Sequence, residues 1–185
     1  TRKLYHLLHQ QFGERHLAVG RDKFFTLLRN RGLLVAKRRR YTRTTDSRHW
    51  MRKYKNLVKD MMLDRPEQVF VSDITYISTK LGYNYLSLVT DACSKKIMGY
   101  ALREDLSPKG CLQALEMALE NRTSDAPLIH HSDRGFQYCS KDYVELLRNH
   151  DVGISMTENG DPYENAIAER VNGILKEEFY LSDTF

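Results

Sequence analysis

Three carboxylates in this sequence sit among residue types that make them conspicuous. Asp73 is the centre of Val69–Ile77 (VFVSDITYI), nine residues rich in Val, Ile, Phe, Thr and Tyr and free of Gly and Pro. That is the composition of a strand. Side chains alternate across a strand, so Val69, Val71, Asp73, Thr75 and Ile77 share one face and Phe70, Ser72, Ile74 and Tyr76 the other. An ionised carboxylate on such a face is costly unless it meets a cation. Taken alone, Asp73 reads better as a strand-edge acid that reaches solvent or pairs with a Lys. Asp133 closes the short apolar run PLIHH (127–131) inside HHSDRGFQY. Functional groups gather at the carboxyl ends of strands in open α/β sheets, and Gly135 is expected to let the backbone turn so that Asp133 faces a shallow cleft. An Asx turn capping the loop is the plainer alternative. Glu169 lies in a helix whose apolar stripe is Ile167, Val171, Ile174 and Leu175. At about 100° per residue it falls on the outward face, with Asn172, Gly173 and Lys176. Such a Glu is ordinarily just solvated. Gly173 speaks against that here, because Gly costs roughly 1 kcal/mol relative to Ala inside a helix and so hints at a close approach.

Carboxylates of this kind suit Mg²⁺ or Mn²⁺, hard cations that prefer oxygen ligands. Two such ions about 4 Å apart can stabilise the attacking and leaving oxygens of an in-line displacement at phosphorus. The chemistry needs one bridging carboxylate on a rigid strand, which Asp73 fits, and two flanking ones, which Asp133 and Glu169 fit. There are 35 residues between Asp133 and Glu169. No Ser or Tyr is placed as an obvious covalent nucleophile; Tyr138 and Tyr163 lie nearby, but the Arg/His clusters of a tyrosine recombinase are not evident.

The elements that must position these residues follow from the periodicity. Residues 1–12 place Leu4, Leu7, Leu8 and Phe12 at helical spacing, and Gly13 is expected to break the helix. Residues 21–31 form a second amphipathic segment ending at Gly32, a C-cap. Strands are predicted at 69–78, 83–89 and 96–102, with connections too short for anything but antiparallel hairpins. A helix opens at Ser107–Pro108 and runs to about Asn121. Then come a strand at 127–131, a helix over 141–150 capped by Ser140, a strand at 153–156, the turn-rich loop TENGDPYE (157–164) and a last helix from about Asn165 to Tyr180. The order β-β-β-α-β-α-β-α gives an α/β fold, a mixed five-stranded sheet with helices on its faces. The domain reading is a helical DNA-binding region at 1–36, a basic linker at 37–65 and the core at 66–185.

Composition narrows the function. The net charge of +5 hides an asymmetry: residues 1–65 hold 18 of the 29 Lys and Arg but only 5 of the 24 Asp and Glu. A basic arm on an acidic domain points to a polyanion held near a carboxylate-lined site. Within the arm, Lys37, Arg38, Arg39 and Arg40 open a basic run interleaved with Tyr41, Trp50 and Tyr54, a pattern suited to phosphates and stacked bases; an exposed linker whose aromatics dock on the core is the other reading. No apolar run approaches the roughly 20 residues of a membrane span. Cys93, Cys111 and Cys139 are odd in number and lack CxxC spacing, which argues against a disulfide framework or a Cys-based zinc site and for a reducing, intracellular setting. The chain starts at Thr1, not Met, and stops just after a predicted helix, as a fragment would.

The stretches VSDITYIST (71–79), LGYNYLSLVTDACSKKIMGYAL (81–102), IHHSDRGFQYCS (129–140) and SMTENGDPYENAIAERVNGILKEE (155–178) resemble the larger reading frame of bacterial insertion-sequence transposases of the retroviral-integrase type, with their D…D-x35-E core. The resemblance is dense over about 66–180 and looser before it. It implies a ribonuclease-H-like fold and metal-dependent DNA strand cleavage and strand transfer. The triad falls on Asp73, Asp133 and Glu169, with two Mg²⁺ ions (Mn²⁺ as substitute). A basic residue seven after the Glu, at Lys176, would touch DNA. Lys95, Lys96, Arg134 and Arg170 are the other core residues expected at phosphates. The partners implied are double-stranded DNA of the element's ends and target, further copies of the chain on that DNA, and a smaller helix-turn-helix protein from the same element; the setting is the bacterial cytoplasm, at the nucleoid, with no membrane. Phe70 stands where the family often has Trp, and Glu164 where it often has Asp. His6, His9 and His16 lack a partnering CxxC, so no zinc domain is expected. His130 and His131 are expected to pack at the strand end. The rival functions are a nuclease of the same fold that does not join ends, and an inactive DNA-binding scaffold.

Overall fold

The computed structural model describes residues 2–14, 19–34, 49–158, 165–181 and 183–185. The chain divides into two compact units, residues 1–43 and 44–185. In the first, α1 (Arg2–Glu14) and α2 (Arg21–Asn30) share a small aromatic centre. Phe24 is buried, and the rings of Tyr5 and Phe12 meet it at 5.5 and 5.9 Å. Gly13 does not end α1, which continues to Glu14; one Gly is a tolerable cost in a helix that packs along a face. Gly32, at φ +66°, does end α2: its amide donates to the Arg29 carbonyl and the Leu33 amide to that of Leu28, a Schellman closure.

The second unit is built on one sheet. Its strands are β1 (Val69–Thr79), β2 (Gly82–Asp91), β3 (Ile97–Arg103), β4 (Ile129–Ser132) and β5 (Gly153–Met156), in spatial order β3-β2-β1-β4-β5. The hairpin strands are antiparallel, whereas β1–β4 and β4–β5 are parallel. The alternation read in β1 decides the layers. Phe70 joins Val89, Met98 and Ile154 on a rear face covered by α3 (Pro108–Glu120), the short α4 (Phe136–Cys139) and α5 (Lys141–Asn149). Val69, Val71 and Ile77 face the front, where α6 (Ala166–Glu178) lies on them with Ala168 and Val171. Gly99 lets α3 sit directly on β3: a Cβ there would fall 2.0 Å from the Ala114 carbonyl oxygen and 2.7 Å from the Ala118 amide nitrogen. Helix α4 was not foreseen; four residues are too few to show a period.

Residues 49–65 belong to the second unit, and several of their apolar side chains pack on it. Met51 and Tyr54 pack against the rear core, and Val58, Met61 and Leu63 against the cluster of Val69 and Val71. No helix among the described residues is long and apolar enough to cross a membrane.

Candidate active site

The sheet brings two of the three carboxylates together by register alone. In the parallel pair, Val71 stands opposite His131. Two residues further along each strand are Asp73 and Asp133, just where β4 has ended and the strands part. Neighbouring strands lie about 4.8 Å apart, so the continued register sets the two side by side. This is also where the chain order of the sheet reverses, β1 being followed by β2 on one side and flanked by β4 on the other, the crevice that open α/β sheets use for ligands. Both side chains are half-buried and line one cavity of about 50 Å³, with Ile74, Tyr76, Tyr85, Leu106, Gln137 and Tyr138.

Asp133 keeps both of its sequence readings. Its Oδ1 accepts the Gly135 amide at 2.8 Å, an Asx turn, and it faces the cavity. Gly135 itself has φ −62° and ψ 145°, a conformation open to any residue, so the turn is made by the Asp133 side chain and not by the freedom of glycine.

Asp73 is held at both oxygens. Oδ1 accepts the amide of Ile74 at 2.9 Å, and Oδ2 accepts Nδ2 of Asn172 at 2.6 Å. Burial pushes its pKa up to about 7, helped by the charge of Asp133 and, more weakly, of Glu169, and opposed by those two hydrogen bonds. Asn172 is the residue that sequence reasoning misplaced. It was put on the outward face of α6 with Glu169, yet it is buried, and its Oδ1 has no hydrogen-bond partner among the described residues. The stripe of Glu169, Asn172 and Lys176 therefore runs along the flank of α6 that meets β1. Only a mid-helix Asn three residues after a Glu could have signalled it.

Glu169 is in the first turn of α6, exposed, with its pKa raised by partial burial. Its charge reaches Asp73, but among the described residues no three acidic, His or Cys side chains converge closely enough to form a ready metal cluster. The arrangement is a pair, Asp73 and Asp133, with the exposed Glu169 near enough for its charge to act on Asp73.

A scan of family descriptions matches residues 64–162 to the integrase core domain. The chain belongs to that family. The integrase core thus spans Asp73 and Asp133 and the strands that carry them. Among curated relatives, the chain is 35% identical over 181 residues to an insertion element IS600 31 kDa protein of Shigella sonnei, covering 96% of this chain and 66% of the relative. It is 33% identical over 160 residues to the transposase of insertion element IS629 from Shigella sonnei (86% and 54%). It is 34% identical over 152 residues to the IS3 transposase InsF of Escherichia coli (82% and 53%). The chain thus spans about half to just under two thirds of the length of these relatives. Among solved structures it resembles the HTLV-2 integrase catalytic core domain, with TM-score 0.51 and 20% identity over 63% of this chain and 72% of that one. It also resembles a simian T-cell lymphotropic virus intasome chain, with TM-score 0.56 and 19% identity over 96% and 59%. The fold is therefore the ribonuclease-H-like one of integrase cores.

The basic residues distribute unevenly about the integrase-core site. Lys176 lies with Nζ 4.7 Å from the centroid of Tyr76, half-buried, its pKa lowered by burial and held up by Asp73. Arg134 adjoins Asp133, and Arg170 is exposed beside Glu169. Lys95 and Lys96 stand apart: they lie in the β2–β3 turn, beyond Asp91, which pairs with Phe70 at the amino end of β1. Lys37, Arg38, Arg39 and Arg40 fall outside the described residues, as does Tyr163. Tyr138 is buried, and burial pushes its hydroxyl well above the ordinary range, which removes it as a nucleophile. His130 and His131 pack inside. Nε2 of His130 lies 2.7 Å from Ser72 Oγ and 2.9 Å from the Tyr143 hydroxyl, and burial lowers its pKa to about 3, so it is neutral.

Proposed function

We propose that this chain is the catalytic part of an insertion-sequence transposase, a polynucleotidyl transferase of the Asp-Asp-Glu type that cleaves DNA at a mobile element's ends and joins the freed 3′ end to a target strand. The observation that carries the reading is the register of β1 against β4, which sets Asp73 beside Asp133 at the switch point of an integrase core, with α6 pinned to Asp73 through Asn172.

The donor set fits a divalent metal. It is all carboxylate oxygen, and burial together with the charge of Asp133 raises the pKa of Asp73 to about 7, a cost that a bound cation would relieve. Asp73, Asp133 and Glu169 would hold the two Mg²⁺ ions; the similar HTLV-2 integrase core is described in complex with magnesium. Bound there, such ions supply an activated oxygen nucleophile and charge neutralisation at the leaving oxygen. The protein's own work is positional. Ile74 and Asn172 fix both oxygens of Asp73, the Asx turn fixes Asp133, and Lys176, parked on Tyr76, stands ready for a phosphate. Arg134, next to Asp133, and Arg170, next to Glu169, would take nearby phosphates, and Lys95, Lys96 and the run Lys37–Arg40 would serve more distant stretches of duplex. The proposed reaction needs no covalent protein intermediate, and the buried Tyr138 is not placed to form one. Transposition needs two element ends, so the chain would act as a multimer on DNA, with a smaller helix-turn-helix protein of the same element, at the bacterial nucleoid.

The test is a cleavage and joining assay on labelled element-end DNA with Mg²⁺ or Mn²⁺, comparing the wild type with Asp133→Asn. Metal-dependent nicking and joined product that vanish in the variant are expected. Equal activity in the variant overturns the triad, nicking without joining points to a plain nuclease, and tight binding without any cleavage to a scaffold.

A further inference from the structure

Beside the carboxylates runs a stretch of chain that this chemistry leaves unused. Residues 49–57 are fastened along the β5 edge of the sheet. The Met156 amide donates to the Lys55 carbonyl at 3.3 Å, the Leu57 amide to Ser155 Oγ at 2.8 Å and the Asn56 amide to a Glu158 carboxylate oxygen at 3.1 Å. At its start, Nε2 of His49 lies 2.9 Å from the carbonyl oxygen of Arg134, the residue after Asp133. Ser155 Oγ also meets Nδ1 of His131 at 2.8 Å, two residues before Asp133. The strap is thus tied to the chain on both sides of the Asp133 turn.

Its inner side chains, Met51 and Tyr54, pack on the core. Its outer ones are Trp50, which is 92% exposed, and Arg52, Lys53 and Lys55, all exposed. Arg52 sits 5.2 Å from the Tyr54 ring centroid, and Arg148 donates to the Tyr54 hydroxyl at 3.2 Å, so two cations are anchored on one ring. Lys53 and Arg134 both lie near enough to Cys139 for their charges to act on its thiol, which burial raises to about 11. Among the described residues no carboxylate forms an ion pair with Arg52, Lys53 or Lys55. The result is a fastened ledge of cations without carboxylate partners among the described residues, carrying one bare indole next to His49, which is tied to the Asp133 turn. Cations on a fixed backbone bind a polyanion with less ordering cost than cations on a loose tail, and a fully exposed indole offers a face on which a base can stack.

We infer that the strap is a DNA-contact element of the catalytic unit: Arg52, Lys53 and Lys55 take backbone phosphates of duplex DNA on its way to Asp73 and Asp133, and Trp50 stacks on an unpaired base at the reacting end. This rests on the proposed function, and it makes a segment that the sequence reads as a basic linker part of the site and not a spacer.

Trp50 is the single Trp of the chain, so its fluorescence reports the contact directly and without metal. A short duplex with one recessed strand is titrated into the full chain in EDTA, unlabelled for Trp50 emission and fluorescein-labelled for anisotropy. Emission is expected to be quenched with the same midpoint as the anisotropy rise. In Arg52→Gln/Lys53→Gln/Lys55→Gln, whose altered side chains are exposed and whose melting temperature checks folding, the slope of log affinity against log salt should fall by about 2.7, three phosphates at about 0.9 each. Binding by anisotropy with Trp50 emission unmoved and the slope unchanged overturns the inference and leaves the proposed function standing. No binding of any duplex sinks both.

Discussion

Replacing Asp73 with Asn should stabilise the metal-free protein at alkaline pH and leave it unchanged in acid. The carboxyl of Asp73 has its pKa raised from 3.8 to about 7 by burial and by Asp133. Between about pH 4 and 7 the native state keeps a proton that the unfolded chain has released, so stability falls as pH rises through that window and is flat above it. Three pKa units at 1.36 kcal/mol each set an upper bound of about 4 kcal/mol, and water in the cavity brings the expected figure nearer 2. The substitution removes this cost with little change of shape. The new amide oxygen can accept from the Ile74 amide, and the new NH₂ can donate to Asn172 if that amide flips, which would give its unpartnered buried Oδ1 a donor. For a chain of this size, 2 kcal/mol corresponds to a melting temperature higher by roughly 4–8 °C. Thermal unfolding in EDTA at pH 8 and pH 4 measures it. Adding Mg²⁺ at pH 8 should then raise the wild type and not the variant, because a ligand stabilises only the state that binds it. A difference of equal size at both pH values would refute the reasoning, since an effect of packing alone does not titrate.

Two further perturbations probe the support around the pair. Asn172→Ala removes the amide that holds Asp73 from α6, and by analogy with the outer partners of metal ligands it should weaken Mg²⁺-dependent cleavage by about 10- to 100-fold while far-UV circular dichroism stays unchanged; full activity would make Asn172 a packing residue only. Gly99→Ala pushes a methyl to 2.0 Å from the Ala114 carbonyl, a backbone clash that α3 cannot relieve by a rotamer change, and urea denaturation should show a loss of about 3 kcal/mol or more; a loss below about 1 kcal/mol would mean that α3 slides freely on the sheet.

The fold was legible where apolar spacing is long enough to have a period. The eleven-residue β1 shows it best: its alternation separated Phe70 from Val69 and Val71, and the structure puts those residues against opposite layers of helices. Hairpin lengths fixed β1–β2–β3 as antiparallel. Segments without a period were read poorly. Residues 136–139 make one turn of helix, and the strap at 49–57 owes its place to backbone hydrogen bonds with Ser155 and Met156 about a hundred residues away, pairings to which a local pattern of Lys, Arg and Tyr gives no clue.

The site divides along the same line. Asp73 and Asp133 could each be suspected from neighbours in sequence, because a carboxylate amid Val and Ile, or one closing an apolar run, is a local anomaly. What makes them a pair is non-local: the parallel register Val71 to His131, continued by two residues, brings two solitary acids into one cleft, where burial and, after it, the charge of Asp133 raise the pKa of Asp73. Asn172 shows the converse. An amide on a helix is unremarkable by composition, and a helical wheel put it with Glu169 on the outside, because the wheel ranks faces by hydrophobicity. Asp73 is the one acid of β1, and a helix crossing that face must bring a donor to it or bury an unpaired carboxylate. The polar residue of α6 is therefore turned inward by Asp73, which is how a carboxylate on a strand selects the rotation of the helix that presents Glu169 to it.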